Sequence, residues 1–304
     1  MKLPVLKAVG AGLAYLTTHF GAVLKALWLP TLLMMAVFAY VMPPYFQAMI
    51  EISSFESGSD PQALFAAMGP AMKWMGLLYL SMAILYPMMI AGVLRHIVRG
   101  ESPKLPFYFQ FLGDEVRILF TFILLMIMLL IIYLVGVLGV AALTAALALL
   151  LKEIGGMIAG VIILAALIAA IWFLLRMSMA LPAAVGARRI GLAVSWSITK
   201  GNSWRLFFYW LIWGLIMAAV GCVYVLIAMP DYFSAMGEMI ANANDPSAQQ
   251  ELQRRLLQAE SNLWDRSQPG FWIIMAATYV YMIVYTALMN VSSGVAYRYL
   301  AGEK

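Results

Sequence analysis

The stretch ILFTFILLMIMLLIIYLVGVLGVAALTAALALL, Ile118 to Leu150, settles the fold class. It runs for 33 residues without one Asp, Glu, Lys, Arg or His. An α-helix crosses the ~30 Å hydrocarbon layer of a bilayer with about 20 apolar residues, because lipid offers the backbone no hydrogen-bond partner and a helix satisfies its own. At 1.5 Å per residue this run reaches about 50 Å, so it has to tilt, kink or project.

Five further runs of spanning length lie outward from it: Ala22 to Met42, Trp74 to Leu94, Gly156 to about Gly186, Leu206 to Ala228, and Gly270 to Ala296. The composition agrees, with 304 residues, 64% hydrophobic and 11% charged, and a mean hydropathy of +0.91. Soluble domains carry about 25% charged residues, so both the soluble and the disordered classes are excluded. The reading is an all-α polytopic membrane protein, a single membrane domain over 1–304. Its six spans form three hairpins, 1–96, 97–189 and 190–304.

Orientation follows from where the charges fall. With the N-terminus inside, fourteen of the 19 basic residues and four of the 14 acids are cytoplasmic, a net +10. The other face keeps five bases and ten acids, a net −5. Positive residues gather on the cytoplasmic side, so both termini are expected there. The overall charge of +5 therefore reports orientation, and no nucleic-acid partner is expected. Met1 to Phe20 reads as an interfacial helix leading into an uncleaved first span, because His19 and Lys25 interrupt the run before any small-residue cleavage site.

Self-similarity is the most specific signal. Met42-Pro-Pro-Tyr-Phe-Gln-Ala-Met-Ile-Glu51 matches Met229-Pro-Asp-Tyr-Phe-Ser-Ala-Met-Gly-Glu238 at seven of ten positions. Each copy follows a span and leads to an Asp-Pro pair, Asp60-Pro61 and Asp245-Pro246. Asp as N-cap with Pro in the first turn marks a helix start, so both loops are expected to contain short helices. The span entrances repeat as well: Gly21 to Lys25, Gly113 to Arg117 and Gly201 to Arg205 each set a glycine four residues before a base. The exits pair Gly92 with Arg95, Gly186 with Arg189, and Gly294 with Arg298. Three hairpins of one orientation make a parallel internal repeat, related by an axis along the membrane normal.

An ionisable side chain inside a bilayer costs roughly 2.5 to 3.5 kcal/mol on insertion scales, so those present usually serve a pathway. Arg176 is the one candidate, with two readings. If span four ends at Arg188 and Arg189, Arg176 lies about 18 Å deeper by the helical rise. If the span ends at Arg176, that side chain snorkels, and Met177 to Gly186 is an interfacial segment bent at Pro182. In the functional reading Arg176, Arg188, Arg189, Lys200 and Arg205 form a site for a lipid phosphate. Asn290, Ser292 and Ser293 are candidate cavity-lining groups, with interhelical hydrogen bonding as the competing role. Pro30 and Pro87 are expected to kink spans one and two. Trp74, Trp204, Tyr209, Trp264 and Trp272 read as interfacial anchors.

Catalysis is not expected. His19 and His96 have no second ligand at metal spacing, so no metal site is read, and no cofactor motif, Gly-x-Ser-x-Gly or Walker loop occurs. Asp114 and Glu115 are adjacent, face different ways on a helix, and read as interfacial charges beside Arg117. Cys222 stands alone in an apolar run, so no disulfide is available. In the far loop, 229–269, Leu252, Leu256, Leu257 and Leu263 make an apolar stripe expected to cover the protein's own bundle.

The segment Arg176-Met-Ser-Met-Ala-Leu-Pro182-Ala-Ala-Val, followed by Ser195-Trp-Ser-Ile-Thr-Lys-Gly201-Asn-Ser-Trp-Arg205-Leu-Phe, resembles the bacterial glycerophosphoryl diester phosphodiesterase membrane-domain family and its stand-alone six-span relatives. The resemblance implies a bacterial inner-membrane location and a tie to lipid metabolism, with Arg176, Pro182, Gly201 and Arg205 at signature positions. No stretch is long or polar enough to be the family's catalytic domain, so its activity is not carried over. Two functions are expected on these grounds. One is a non-catalytic protein that binds or translocates a lipid or other amphiphile. The other is a scaffold or accessory subunit that meets a protein partner through the middle hairpin or the loop 229–269.

Overall fold

Helices are the only open-ended structure that lipid tolerates, and every element among the described residues is a helix. The computed structural model describes residues 2–53, 61–102, 107–151, 153–228, 237–238, 240–241, 245–268 and 270–302. Among the described residues, six helices are long and apolar enough to cross a membrane. They are α2 (Phe20–Ser53), α3 (Pro61–Arg99), α4 (Gly113–Leu151), α5 (Glu153–Met177), α8 (Ser203–Ala228) and α10 (Phe271–Ala301). Shorter helices fill the connections: α1 (Val5–Thr18), α6 (Ala180–Gly186), α7 (Leu192–Ile198) and α9 (Pro246–Leu263).

Both proline-marked starts hold, since α3 begins at Pro61 and α9 at Pro246, where the missing N–H costs nothing. The loop expectation for Met42 to Glu51 is corrected: the segment is the last three turns of α2, continuous through Pro43 and Pro44. The second copy, 229–238, lies almost wholly outside the described residues. Likewise, among the described residues, the helix that starts at Pro61 is not separate from span two; α3 is one element of 39 residues, with Pro70 and Pro87 inside it. Pro30 stands within α2 in the same way.

Hydrogen bonds between remote residues gather the helix ends. The Leu3 N–H donates to Asn202 Oδ1 at 2.9 Å, and Arg205 donates to the Leu3 carbonyl at 3.1 Å. The Tyr108 N–H donates to the Lys25 carbonyl at 3.2 Å, and Arg99 to the Val185 carbonyl at 3.3 Å. The starts of α1, α2, α4 and α8 and the ends of α3, α6 and α10 therefore share one end of the bundle, the termini-bearing end. At the far end Met35, Phe271 and Met275 form a small core against Trp264.

Helix α10 is the axle. Ile283, Ala287, Val291 and Val295 pack into the core of α2 and α3, while Leu288, Ala296, Tyr297 and Leu300 join α1, α6, α7 and α8. Lipid tails are as apolar as leucine, so close backbone approach and hydrogen bonds drive this packing. The three exit glycines supply that approach. A Cβ at Gly92 would lie 3.1 Å from the Ala26 Cβ, one at Gly186 2.5 Å from the Tyr297 hydroxyl, and one at Gly294 2.9 Å from an Ile97 methyl. Tyr209 donates to the Ser292 carbonyl at 2.7 Å and Tyr279 to the Trp28 carbonyl at 2.9 Å. Tyr209 is fully buried, which corrects its reading as an interfacial anchor, whereas Trp204 and Trp272 are exposed as anchors should be.

The middle hairpin stands apart. Helices α4 and α5 pack on each other; α4 also meets α3 and α6, and α5 meets α7 and α8. None of the most apolar 18-residue window of α5 is buried, and only 11% of that of α4. Their apolar faces, from Phe120 to Leu138 and from Val161 to Leu174, are open along both helices. Span four reaches Gly186 as expected but is interrupted: α5 ends at Met177, and a turn at Ser178 and Met179 separates it from α6.

Candidate functional site

The densest chemistry lies where α3 ends and α4 begins. Arg95 and Arg99 occupy the last two turns of α3, where the carbonyl end of a helix favours cations. Asp114 and Glu115 occupy the first turn of α4, where the amide end favours anions. Glu115 also accepts the Leu112 N–H at 2.8 Å, half of a capping box that fixes the helix start.

A single guanidinium gathers both acids. Arg95 Nε stands 2.6 Å from Asp114 Oδ2, and its Nη2 stands 2.9 Å from Glu115 Oε2. Arg99 Nη2 reaches the same Asp114 oxygen at 2.6 Å, and Arg117 Nη1 reaches Oδ1 at 2.7 Å. The Tyr108 hydroxyl accepts from Arg95 Nη1 and donates to Glu115 Oε1. Burial, with that bond to Glu115, pushes the Tyr108 phenol well above its ordinary range, so it acts as a neutral donor. Asp114 and Glu115 are buried, which corrects their reading as interfacial charges pointing apart. Neighbouring residues do diverge on a helix, but a long fork arriving from another helix spans them both.

This network floors a cleft of about 420 Å³ bordered by Arg99, Glu101, Gln110, Arg117 and Arg188. Arg188 enters it from the chain beyond α6, its backbone at φ 51°, a left-handed conformation uncommon outside glycine, and its Nη2 is 3.8 Å from Glu101 Oε1. Arg95, Arg99, Arg117 and Arg188 face three carboxylates, those of Glu101, Asp114 and Glu115, leaving a positive excess. An open, positively biased cleft at a helix-end level holds an anionic oxygen group well.

The remaining expected site residues are distributed otherwise. Arg176 is buried at the end of α5 and its Nη2 donates to the Trp196 carbonyl at 2.6 Å. Its guanidinium lies 4.4 Å from the Trp196 ring centre and 5.6 Å from that of Trp172. The Arg176 carbonyl in turn accepts from Ser195 at 2.7 Å and Thr199 at 3.2 Å. The helix end at Met177 matches the second of the two sequence readings, while the side chain packs in protein. Arg189 and Lys200 are exposed. Asn290 donates to the Thr286 carbonyl at 2.8 Å, and Ser292 and Ser293 donate to the carbonyls of Met289 and Asn290, so all three bond to their own helix.

The two histidines, far apart in sequence, meet at the termini-bearing end. His19 stacks on Tyr15 at 4.4 Å, and the two imidazole centres are 5.3 Å apart. The Tyr15 hydroxyl bonds His96 Nδ1. Among the described residues no three metal-ligating side chains come together. Comparisons with family models, with curated proteins and with solved structures return no match for this chain.

Proposed function

We propose that this integral membrane protein binds an anionic amphiphile, a phospholipid, without catalysing its conversion, and that it holds the headgroup in the arginine-bordered cleft between α3 and α4. The observation that carries the reading is the continuity of that cleft with a lipid-facing stripe. Arg117 heads a line of exposed apolar side chains on α4 at helical spacing, Phe120, Leu124, Ile127 and Ile131. A phosphate beside Arg117 and Arg188 thus has its acyl chains laid along α4. The charge bias supports the matching orientation, with both termini cytoplasmic and the cleft at the inner leaflet, and the bacterial inner membrane is the location that the family resemblance implies. The test is lipid co-purification read by native mass spectrometry. Wild type retains anionic lipid above its share of the membrane, and Arg117→Ala with Arg188→Ala loses that enrichment. An unenriched wild type, or a double variant that still enriches, overturns the reading.

A second reading, an accessory subunit, rests on the open apolar faces that α4 and α5 carry along most of their length. A photocrosslinking residue at Ile168 would then trap one partner protein reproducibly; recovery of lipid adducts alone would end that reading.

A further inference from the structure

A second amphiphile-shaped hollow, sharing no residue with the arginine cleft, runs from the middle of the bundle toward its far end. Between α2 and α3 runs a furrow of about 460 Å³, lined by Leu33, Val37, Leu77, Ile84 and Phe109, with Ser81 the single hydroxyl besides Tyr40. On the other side of Tyr40, between α2 and the end of α9, lies a polar hollow of about 400 Å³ that holds Gln47, Asn262, Trp264, Asp265 and Arg266. Leu33, Val37, Tyr40, Pro43 and Gln47 fall at helical spacing on one stripe of α2, about 21 Å from end to end by the standard rise. One helix face therefore passes from hydrocarbon to headgroup depth. Tyr40 meets Trp74 edge to face at 5.7 Å, an aromatic pair of the kind found at membrane interfaces.

We propose that this stripe holds one glycerophospholipid with a primary-ammonium headgroup, its acyl chain in the α2–α3 furrow, its phosphate against Arg266 and its ammonium against Asp265. The occupant is chosen by charge complementarity. The hollow offers one cation and one anion side by side, the complement of a zwitterion, whereas a purely anionic headgroup would meet the Asp265 carboxylate. That carboxylate is held in shape by the Ser267 N–H at 2.9 Å and the Ser267 hydroxyl at 2.8 Å, with Gln268 Nε2 3.4 Å from the second oxygen. These donors hold it below the ordinary carboxylate range, so it is charged at neutral pH, and an oxygen pair has room for a further donor. The furrow's apolar lining suits a chain and nothing polar.

The inference rests on the reading of the protein as a lipid binder and extends it to a second site with the opposite headgroup preference. The test uses the full chain in nanodiscs containing phosphatidylethanolamine and phosphatidylglycerol, with lipid retained on delipidation counted by native mass spectrometry. Arg266→Ala is expected to weaken retention of the ethanolamine lipid roughly tenfold, in line with loss of a charge-assisted contact. Asp265→Asn should remove the preference for it over the glycerol lipid. Val37→Trp, which fills the furrow without touching the headgroup hollow, should weaken both lipids at this site. Arg117→Ala with Arg188→Ala should leave the ethanolamine lipid bound. Wild type that retains neither lipid overturns the general reading. Wild type that retains lipid which Arg266→Ala and Val37→Trp leave unchanged overturns this site alone.

Discussion

Arg95 Nε lies 2.6 Å from Asp114 Oδ2, joining the last turns of α3 to the first turn of α4. The same side chain holds Glu115 at 2.9 Å, so one guanidinium bridges two buried carboxylates, with Arg99 and Arg117 sharing Asp114. Removing one member of a buried ion group strands the others, which costs about 3 to 5 kcal/mol where the pairing is complete. Arg95→Ala should therefore lower the thermal midpoint in detergent by many degrees. Arg95→Lys should recover little of it, since an ammonium cannot fork to both acids. A midpoint equal to wild type for Arg95→Ala would show that the network contributes nothing.

Arg176 gives a second contrast. A snorkelling charge would accept lysine in its place, but a planar group between Trp172 and Trp196 that donates to a backbone carbonyl would not. Arg176→Lys is expected to loosen α7 from α5, seen as faster protease cleavage within 187–202. Equal cleavage rates for the two proteins would restore the snorkelling picture.

Glycine substitutions divide by position. A side chain at Gly294 meets Ile97 and Leu94 at 2.9 and 3.1 Å, so Gly294→Leu should cost about 1 to 3 kcal/mol through overpacking. At Gly136 an added Cβ finds nothing within 4 Å, and Gly136→Ala should be neutral or stabilise by about 0.5 to 1 kcal/mol through helix propensity. Parallel denaturation in mild detergent measures both. A tolerated Gly294→Leu would contradict the close crossing of α10 and α3.

The Tyr15 phenol is pushed up to about 12 by burial, against the opposing pull of the Arg298 charge, from an unfolded value of 10.0. A raised value means that the folded state keeps its proton longer, so the associated stability is whole below pH 10.0 and is lost as the pH climbs toward about 12. Thermal midpoints measured from pH 8 to 12 should fall over that window for wild type and fall less for Tyr15→Phe. Parallel curves for the two proteins would remove Tyr15 from the account.

Much of the fold is legible along the chain. Ile118 to Leu150 reads as a span, Pro61 and Pro246 begin helices, Val5–Thr18 is the expected leading helix, and Leu252 on α9 turns inward as a covering helix requires. The candidate site was less legible. Arg95 and Arg99 one turn apart, with Asp114 and Glu115 at the next entrance on the same side, were the available signal. What hid their meeting was the rule that neighbouring acids diverge on their own helix. Tyr209 looked like an anchor by its place near a span end, yet its hydroxyl finds the Ser292 carbonyl inside the bundle.

The sequence by itself determined that this is a six-span helical membrane protein with a strong charge bias between its faces. A bilayer is a uniform solvent and tests each segment for length and polarity alone, so that information is local. Only the tertiary structure decided which faces meet. Helices α4, α5, α8 and α10 are apolar nearly all round, and no periodicity in them fixes a rotation about the helix axis. The convergence on Arg95, the packing of Arg176 and the stripe from Leu33 to Gln47 follow from how the helices meet, and close contacts at Gly92, Gly186 and Gly294 fix the crossings among α2, α3, α6 and α10.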